Sequence, residues 1–205
     1  MPRVVLASAS PSRKKLLYAA GVDFEVVVSH VNEELPIYDS MTPSEMVLAL
    51  AIVKAHTVRE LIDFPALVIA CDSTFEFEGA SLGKPLTAQI ASQRARKLSG
   101  KSGMLHTGHC IVDLNRGIEI SDIASTKVTF AEITDDEIKD YVSSGEPLNV
   151  AGGFTLDGLS SAFISSIEGD YTNVIGLSVP LIRNMILRLG YSWHEFTRQP
   201  IGVEN

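Results

Sequence analysis

The chain has 205 residues, 45% hydrophobic and 20% charged, enough to bury a core within one globular domain of two lobes. Its net charge of −8 argues against a nucleic-acid polymer as partner, which would ask for a basic face. No stretch approaches the roughly 20 apolar residues of a membrane span, and the apolar run in MPRVVLASAS is too short for a signal peptide, so a cytoplasmic protein is expected.

RVVLAS (3–8) reads as a buried strand feeding a helix. Ser10 is a good N-cap, Pro11 fits the first helical position, and Gly21 supplies a left-handed stop. The first turn should favour carboxylates, because the helix N-terminus carries partial positive charge. It holds Arg13, Lys14 and Lys15 instead. Other helix starts in the chain obey the dipole: Thr42-Pro43 is followed by Glu45, and Thr134 by Asp135, Asp136 and Glu137. Two readings follow. Backbone N–H groups, serine hydroxyls and cations at 8–14 make a phosphate site, or the cations are solvated and the mismatch costs only about a few tenths of a kcal/mol.

FEVVVS (24–29) reads as a second strand, VNEELP (31–36) as a polar loop carrying Glu33, and 43–62 as a long helix. On that helix Val47, Leu50, Ala51, Lys54, Val58 and Leu61 share a face. Lys54 there must snorkel to the surface or meet an anion. ALVIACDS (66–73) reads as a central strand, and FEFEG (75–79) as another that turns at Gly79. Asp72 follows the apolar run, where ligands gather at strand ends in open α/β sheets. It is placed to hold a metal or take a proton from water, or else to cap a turn with Ser73.

LGKP (82–85) presents Lys84 from a loop shaped by Gly83 and Pro85, and 88–98 is a helix. MLHTGHCIVDL (104–114) and 118–133 read as strands joined by a turn at NRG (115–117). A helix over 135–144 is stopped by Gly145; 147–158 is a loop with strand-like parts; 162–178 holds strand and turn. Ser178 caps a last helix running to about Leu189. Interleaved strands and helices with central hairpins predict an α/β fold on a mixed sheet. Cys71 and Cys110 lie in apolar runs and read as buried thiols of a reduced compartment. Several cations and a few acids together suit metal-assisted phosphoryl chemistry.

LASASPSRKKLL, VNEE, LALAIVKA, VIACDST, LGKP, ARKLSGKSGMLHTG, YVSSGEPLNVAGGFTLDG and GDYTNVIGL occur in this order. Together they resemble the Maf family of nucleoside triphosphate pyrophosphatases, also known as septum formation inhibitors, from about residue 4 to 189. The resemblance implies a single domain over 1–205, with an elongated mixed β-sheet flanked by helices and two lobes around a cleft, similar to inosine triphosphate pyrophosphatases. It implies hydrolysis between the α and β phosphates of a nucleotide to the monophosphate and pyrophosphate, a divalent cation (Mg²⁺ or Mn²⁺), and a homodimer.

By position, Asp72 matches the proton acceptor for the attacking water. Arg13 matches a phosphate ligand with Ser8 and Ser10 nearby. Glu33, Lys54 and Lys84 match the loop glutamate, the helix lysine and the loop lysine. Asp72 and Glu33 are the carboxylates that would face a metal. Three departures stand out: Ser12 replaces an arginine, for which Lys14 would compensate as a phosphate contact; Asn32 replaces an aspartate; and Asp157 replaces the glutamine of members that favour thymidine and uridine triphosphates. An acid at 157 accepts the paired N–H groups of a guanine edge or offsets a methylated guanine, as in the branch that favours 7-methyl-GTP. Otherwise it is a lineage variant that never meets the base. A nucleotide-binding regulator of cell division with little turnover is the competing function, and a phosphatase releasing orthophosphate a third.

Overall fold

The computed structural model describes residues 2–198. The domain span expected from the sequence also includes residues 1 and 199–205, which lie outside the described residues. Seven strands form one sheet: β1 (Arg3–Leu6), β2 (Glu25–Val26), β3 (Ala66–Phe77), β4 (Ala80–Leu82), β5 (Ser102–Asp113), β6 (Ile118–Phe130) and β7 (Ile164–Glu168). Around it lie α1 (Pro11–Ala19), α2 (Pro43–Arg59), α3 (Ala88–Leu98), α4 (Asp135–Ser143), α5 (Tyr171–Ile175) and α6 (Val179–Arg188). The strand order is β2-β1-β3-β5-β6-β7, with β4 paired to β3. Helical crossovers make β1 parallel to β2 and to β3; tight turns pair β3 with β4 and β5 with β6, and β3–β5 and β6–β7 are antiparallel across longer connections, so the sheet is mixed as expected.

Period-two alternation sends one apolar run to two faces of the sheet. Val68 and Ala70 pack with Val5, Cys110 and the α2 residues Ala51, Ala55 and Val58. Leu67, Ile69 and Cys71 pack on the other side with Leu17 of α1 and with Ile182, Met185 and Ile186 of α6. Helices on both faces are why ALVIAC reads as unbroken apolar sequence. The two cysteines therefore sit in different layers, both free and buried. Burial pushes each thiol up to about 12, which leaves both inert at neutral pH.

Beyond Thr74 the long strands carry a second core. Phe154 meets Phe75 and Phe130 edge to face, each at 4.9 Å between ring centroids. Leu98 of α3, Leu105 and Val128 complete it. The two cores define the two lobes. Between them, β1 stops at Leu6 opposite Ile69, and β4 joins β3 only at Phe75. The edge of β3 thus passes from one neighbour to the next with no strand beside Cys71–Thr74, and the cleft opens there.

Some local expectations differ from the structure. The sequence predicts separate strands at 66–73 and 75–79; the structure has one, because Thr74 keeps its pairing with His106. The strand-like parts expected in 147–158 are 3-10 turns, since Gly152 and Gly153 adopt φ of 71° and 80°, outside the β region. Helix α2 ends at Arg59, so Leu61 lies beyond its buried face and is exposed. Helix α5 was not foreseen. Its five residues are too few to show a period, although Asp170 caps it by accepting from the Thr172 N–H.

Candidate active site

The cleft between the lobes has a volume of about 470 Å³. Its first wall is the segment after β1 (Ala7–Arg13) with the loop after β2 (Val28–Val31, Glu33); its floor is Asp72 and Ser73 of β3 with Lys54 of α2. The far wall comes from Lys84, 149–151, Phe154 and Thr155, and 174–176 lines the cleft beside Arg13.

Lys54 is brought here by helix packing. Val47, Leu50, Ala51, Ala55 and Val58 are buried on the same face, and a capping box of Thr42 and Glu45 starts the helix. The lysine does not snorkel: its Nζ lies 2.5 Å from Asp72 Oδ1 and 2.5 Å from Glu33 Oε1. Both Lys54 and Asp72 are buried, whereas Glu33 is half exposed. Asp72 does not end a strand, as the sequence suggested, but sits in mid-β3 opposite Gly108. The strand that ends nearby is the parallel neighbour β1, which stops at Leu6 opposite Ile69, three residues before Asp72. Burial holds the Asp72 carboxyl above its ordinary range, opposed by the charges of Lys54 and Arg13.

At α1 the three first-turn cations part company. Ser10 caps the helix by accepting from the Arg13 backbone N–H, and the buried Ser8 hydroxyl accepts from the Ser10 N–H. Ser8, Ser10 and Arg13 line the cleft. Lys14 and Lys15 do not, and Lys15 is exposed. Across the cleft, Lys84 is exposed on a loop tied down on both sides. The Gly83 carbonyl accepts from the Gly152 N–H and from Arg94, and the Leu86 N–H donates to the Leu148 carbonyl. Leu86 takes a left-handed φ of 62° to make this turn.

Asp157 does not line the cleft. Its carboxylate accepts from the hydroxyls of Ser12, at 3.2 Å, and of Thr155, both of which do line it. Two of the sequence departures, Ser12 and Asp157, are therefore hydrogen-bonded to each other. Sequence reasoning missed His30, Asn149 and Thr155 as wall residues. His30 carries no sequence signal, and only its left-handed φ of 51° marks it in the structure.

Among the described residues no group of three or more His, Cys, Asp or Glu side chains stands ready to hold a metal. Asp72 and Glu33 converge on one cation, Lys54. Two carboxylates suit Mg²⁺, which is commonly held by one or two acids plus substrate phosphates. No helix among the described residues is long and apolar enough to cross a membrane.

The sequence matches the family described as Maf-like protein over residues 3–189. A nucleoside triphosphate pyrophosphatase of Streptomyces coelicolor is 51% identical over 189 residues, 92% of this chain and 91% of the relative. Proteins of the same name from Salinispora tropica and Thermosynechococcus vestitus are 48% and 44% identical, covering 91% and 92% of this chain and 84% and 94% of the relatives. A solved dITP/XTP pyrophosphatase of Mycobacterium abscessus is similar at 16% identity and a TM-score of 0.43, over 90% of this chain and 98% of that one, too slight a likeness to argue from.

Proposed function

The chain belongs to the Maf-like protein family, and on that premise we propose that it hydrolyses nucleoside triphosphates to the monophosphate and pyrophosphate. The observation that carries this reading is the buried Asp72–Lys54 pair on the floor of a cleft, met by Glu33 from the wall, beside a helix N-terminus. Helix N-termini with hydroxyl side chains hold phosphate, and a buried carboxylate with a raised pKa suits a proton acceptor.

In this reading the triphosphate lies along Ser8, Ser10 and the α1 N-terminus. Lys84 closes on it from the far wall, and Lys14 adds charge from outside the wall. Asp72, oriented by Lys54, takes the proton from a water whose oxygen bonds the α-phosphorus. The bond from that phosphorus to the bridging oxygen breaks, and pyrophosphate leaves. Asp72 and Glu33 would hold a Mg²⁺ or Mn²⁺ ion, which neutralises phosphate charge. Asp157 acts on base choice through Ser12 and Thr155, towards a guanine-like or modified base. The protein works as a cytoplasmic homodimer that clears unwanted nucleotides.

The test is a hydrolysis panel of dTTP, UTP, GTP and 7-methyl-GTP with Mg²⁺ or Mn²⁺, scoring pyrophosphate against orthophosphate. Pyrophosphate release is expected, with preference moving towards dTTP or UTP in Asp157→Gln. Orthophosphate as the first product would make the protein a phosphatase. Tight binding without turnover would leave a nucleotide-binding regulator of cell division.

A further inference from the structure

The Arg13 side chain lines the cleft, yet most of its donors are spent on the protein itself. A guanidinium has five N–H donors. Four are taken by protein acceptors: Nε donates to the Gly176 carbonyl at 2.7 Å, Nη1 to the Cys71 carbonyl at 2.8 Å and to Ser8 Oγ at 3.2 Å, and Nη2 to Ser73 Oγ at 2.9 Å. These partners belong to three separate segments: the chain after β1, mid-β3, and the turn after α5. Gly176 makes that turn at φ +121°, a conformation L side chains rarely adopt, and so aims its carbonyl at Nε.

The Cys71 carbonyl and Ser73 lie on the stretch of β3 edge that has lost β1 and not yet gained β4. Arg13 supplies the donor that a neighbouring strand would have supplied. Side chains alternate along a strand. With residues 71 and 73 both held by one guanidinium, the residue between them is aimed at the other face, where Lys54 meets it. That residue is Asp72. Ser73 also hydrogen-bonds Thr107 at 2.9 Å, which ties the clamp to β5.

We propose that Arg13 is a positioning residue, which fixes the open edge of β3 so that Asp72 faces the attacking water, rather than a ligand of the phosphates. The inference rests on the pyrophosphatase reading and refines one residue within it.

The test compares wild type, Arg13→Lys, Arg13→Gln and Ser73→Ala. It reads kcat and KM for pyrophosphate release, together with the affinity for inorganic tripolyphosphate by calorimetry. Positioning predicts that kcat falls about tenfold or more in both Arg13 variants, while KM and tripolyphosphate affinity stay within about threefold. Ser73→Ala removes one partner of the clamp and keeps the charge, so kcat should fall several-fold with tripolyphosphate affinity unchanged. A tenfold or larger loss of tripolyphosphate affinity in Arg13→Gln, with KM rising in step, would overturn the proposal. If both Arg13 variants fail to fold, an unchanged kcat in Ser73→Ala overturns it. A wild type that releases no pyrophosphate fails the reaction, not this assignment, and tripolyphosphate affinity then decides Arg13 alone.

Discussion

Asp72 shows what one buried carboxylate demands of its neighbours. Taken from water, the ionised form is costly, and burial raises its pKa despite two nearby cations. In the role proposed for Asp72, a proton acceptor that works only when ionised, kcat/KM should rise with pH through that pKa and plateau above it. The acid limb is expected above the ordinary aspartate range, and a pH–rate profile measures it. Asp72→Asn should lower kcat by about a thousandfold or more with the melting transition retained. His109 is a second buried group with a consequence. Its Nε2 accepts from the Ser178 N–H and its Nδ1–H donates to the Thr107 carbonyl, which requires the neutral ring. Burial first, and the charge of Arg13 second, lower its pKa from 6.5 to about 4. The unfolded chain then binds a proton that the folded chain refuses, so stability is lost as pH falls from 6.5 towards 4, on the order of 3 kcal/mol in all. Urea titrations across that window should show the loss, and His109→Gln should flatten it.

At the scale of elements, the seating of α2 on β5 decides whether Lys54 reaches Asp72. Gly108 lies under the helix, and a Cβ there would come within 2.2 Å of the Val47 carbonyl oxygen, which is backbone and cannot swing aside. Gly108→Ala should therefore lift the helix and destabilise the protein by about 1–3 kcal/mol. It should also lower kcat, because the Lys54–Asp72 contact opens. Denaturant unfolding and steady-state kinetics on the same variant check both effects. Helix α1 shows the opposite economy: its cap and first position obey ordinary helix rules, while its three cations divide between an inward clamp and the outer surface.

For the whole molecule, the cleft exists because two cores are strung along the same long strands. Phe154 belongs to both the second core and the cleft wall. Phe154→Ala would remove both of its edge-to-face contacts and should cost about 3–5 kcal/mol. Since the wall loosens with the core, KM for the nucleotide should rise as well. Thermal melts and nucleotide titrations would show the two losses together, whereas a loss of stability with KM unchanged would mean that Phe154 supports the lobe without shaping the cleft.

Local chemistry was legible in the sequence wherever one segment sufficed to specify it. The caps at Ser10, Thr42, Thr134 and Ser178, the boundaries of α3, the apolar run of β3 and the mixed sheet could all be read directly, because a cap or an alternating run carries its reason within a few residues. The motif order carried the family in the same way. What tertiary structure decided was every relation between distant segments. Lys54 had two fates in the sequence, and the approach of Glu33 and Asp72, 21 and 18 positions away, settled it. Asp72 looked like a strand end until pairing with β5, as far as Glu76, carried β3 past it. Arg13 matches a phosphate ligand in the sequence, and only the fold brings Cys71, Ser73 and Gly176 within reach of its donors. A side chain declares its chemistry in the sequence, but its partner is chosen by the fold, since burial and hydrogen-bond distance depend on segments that meet only when the sheet closes.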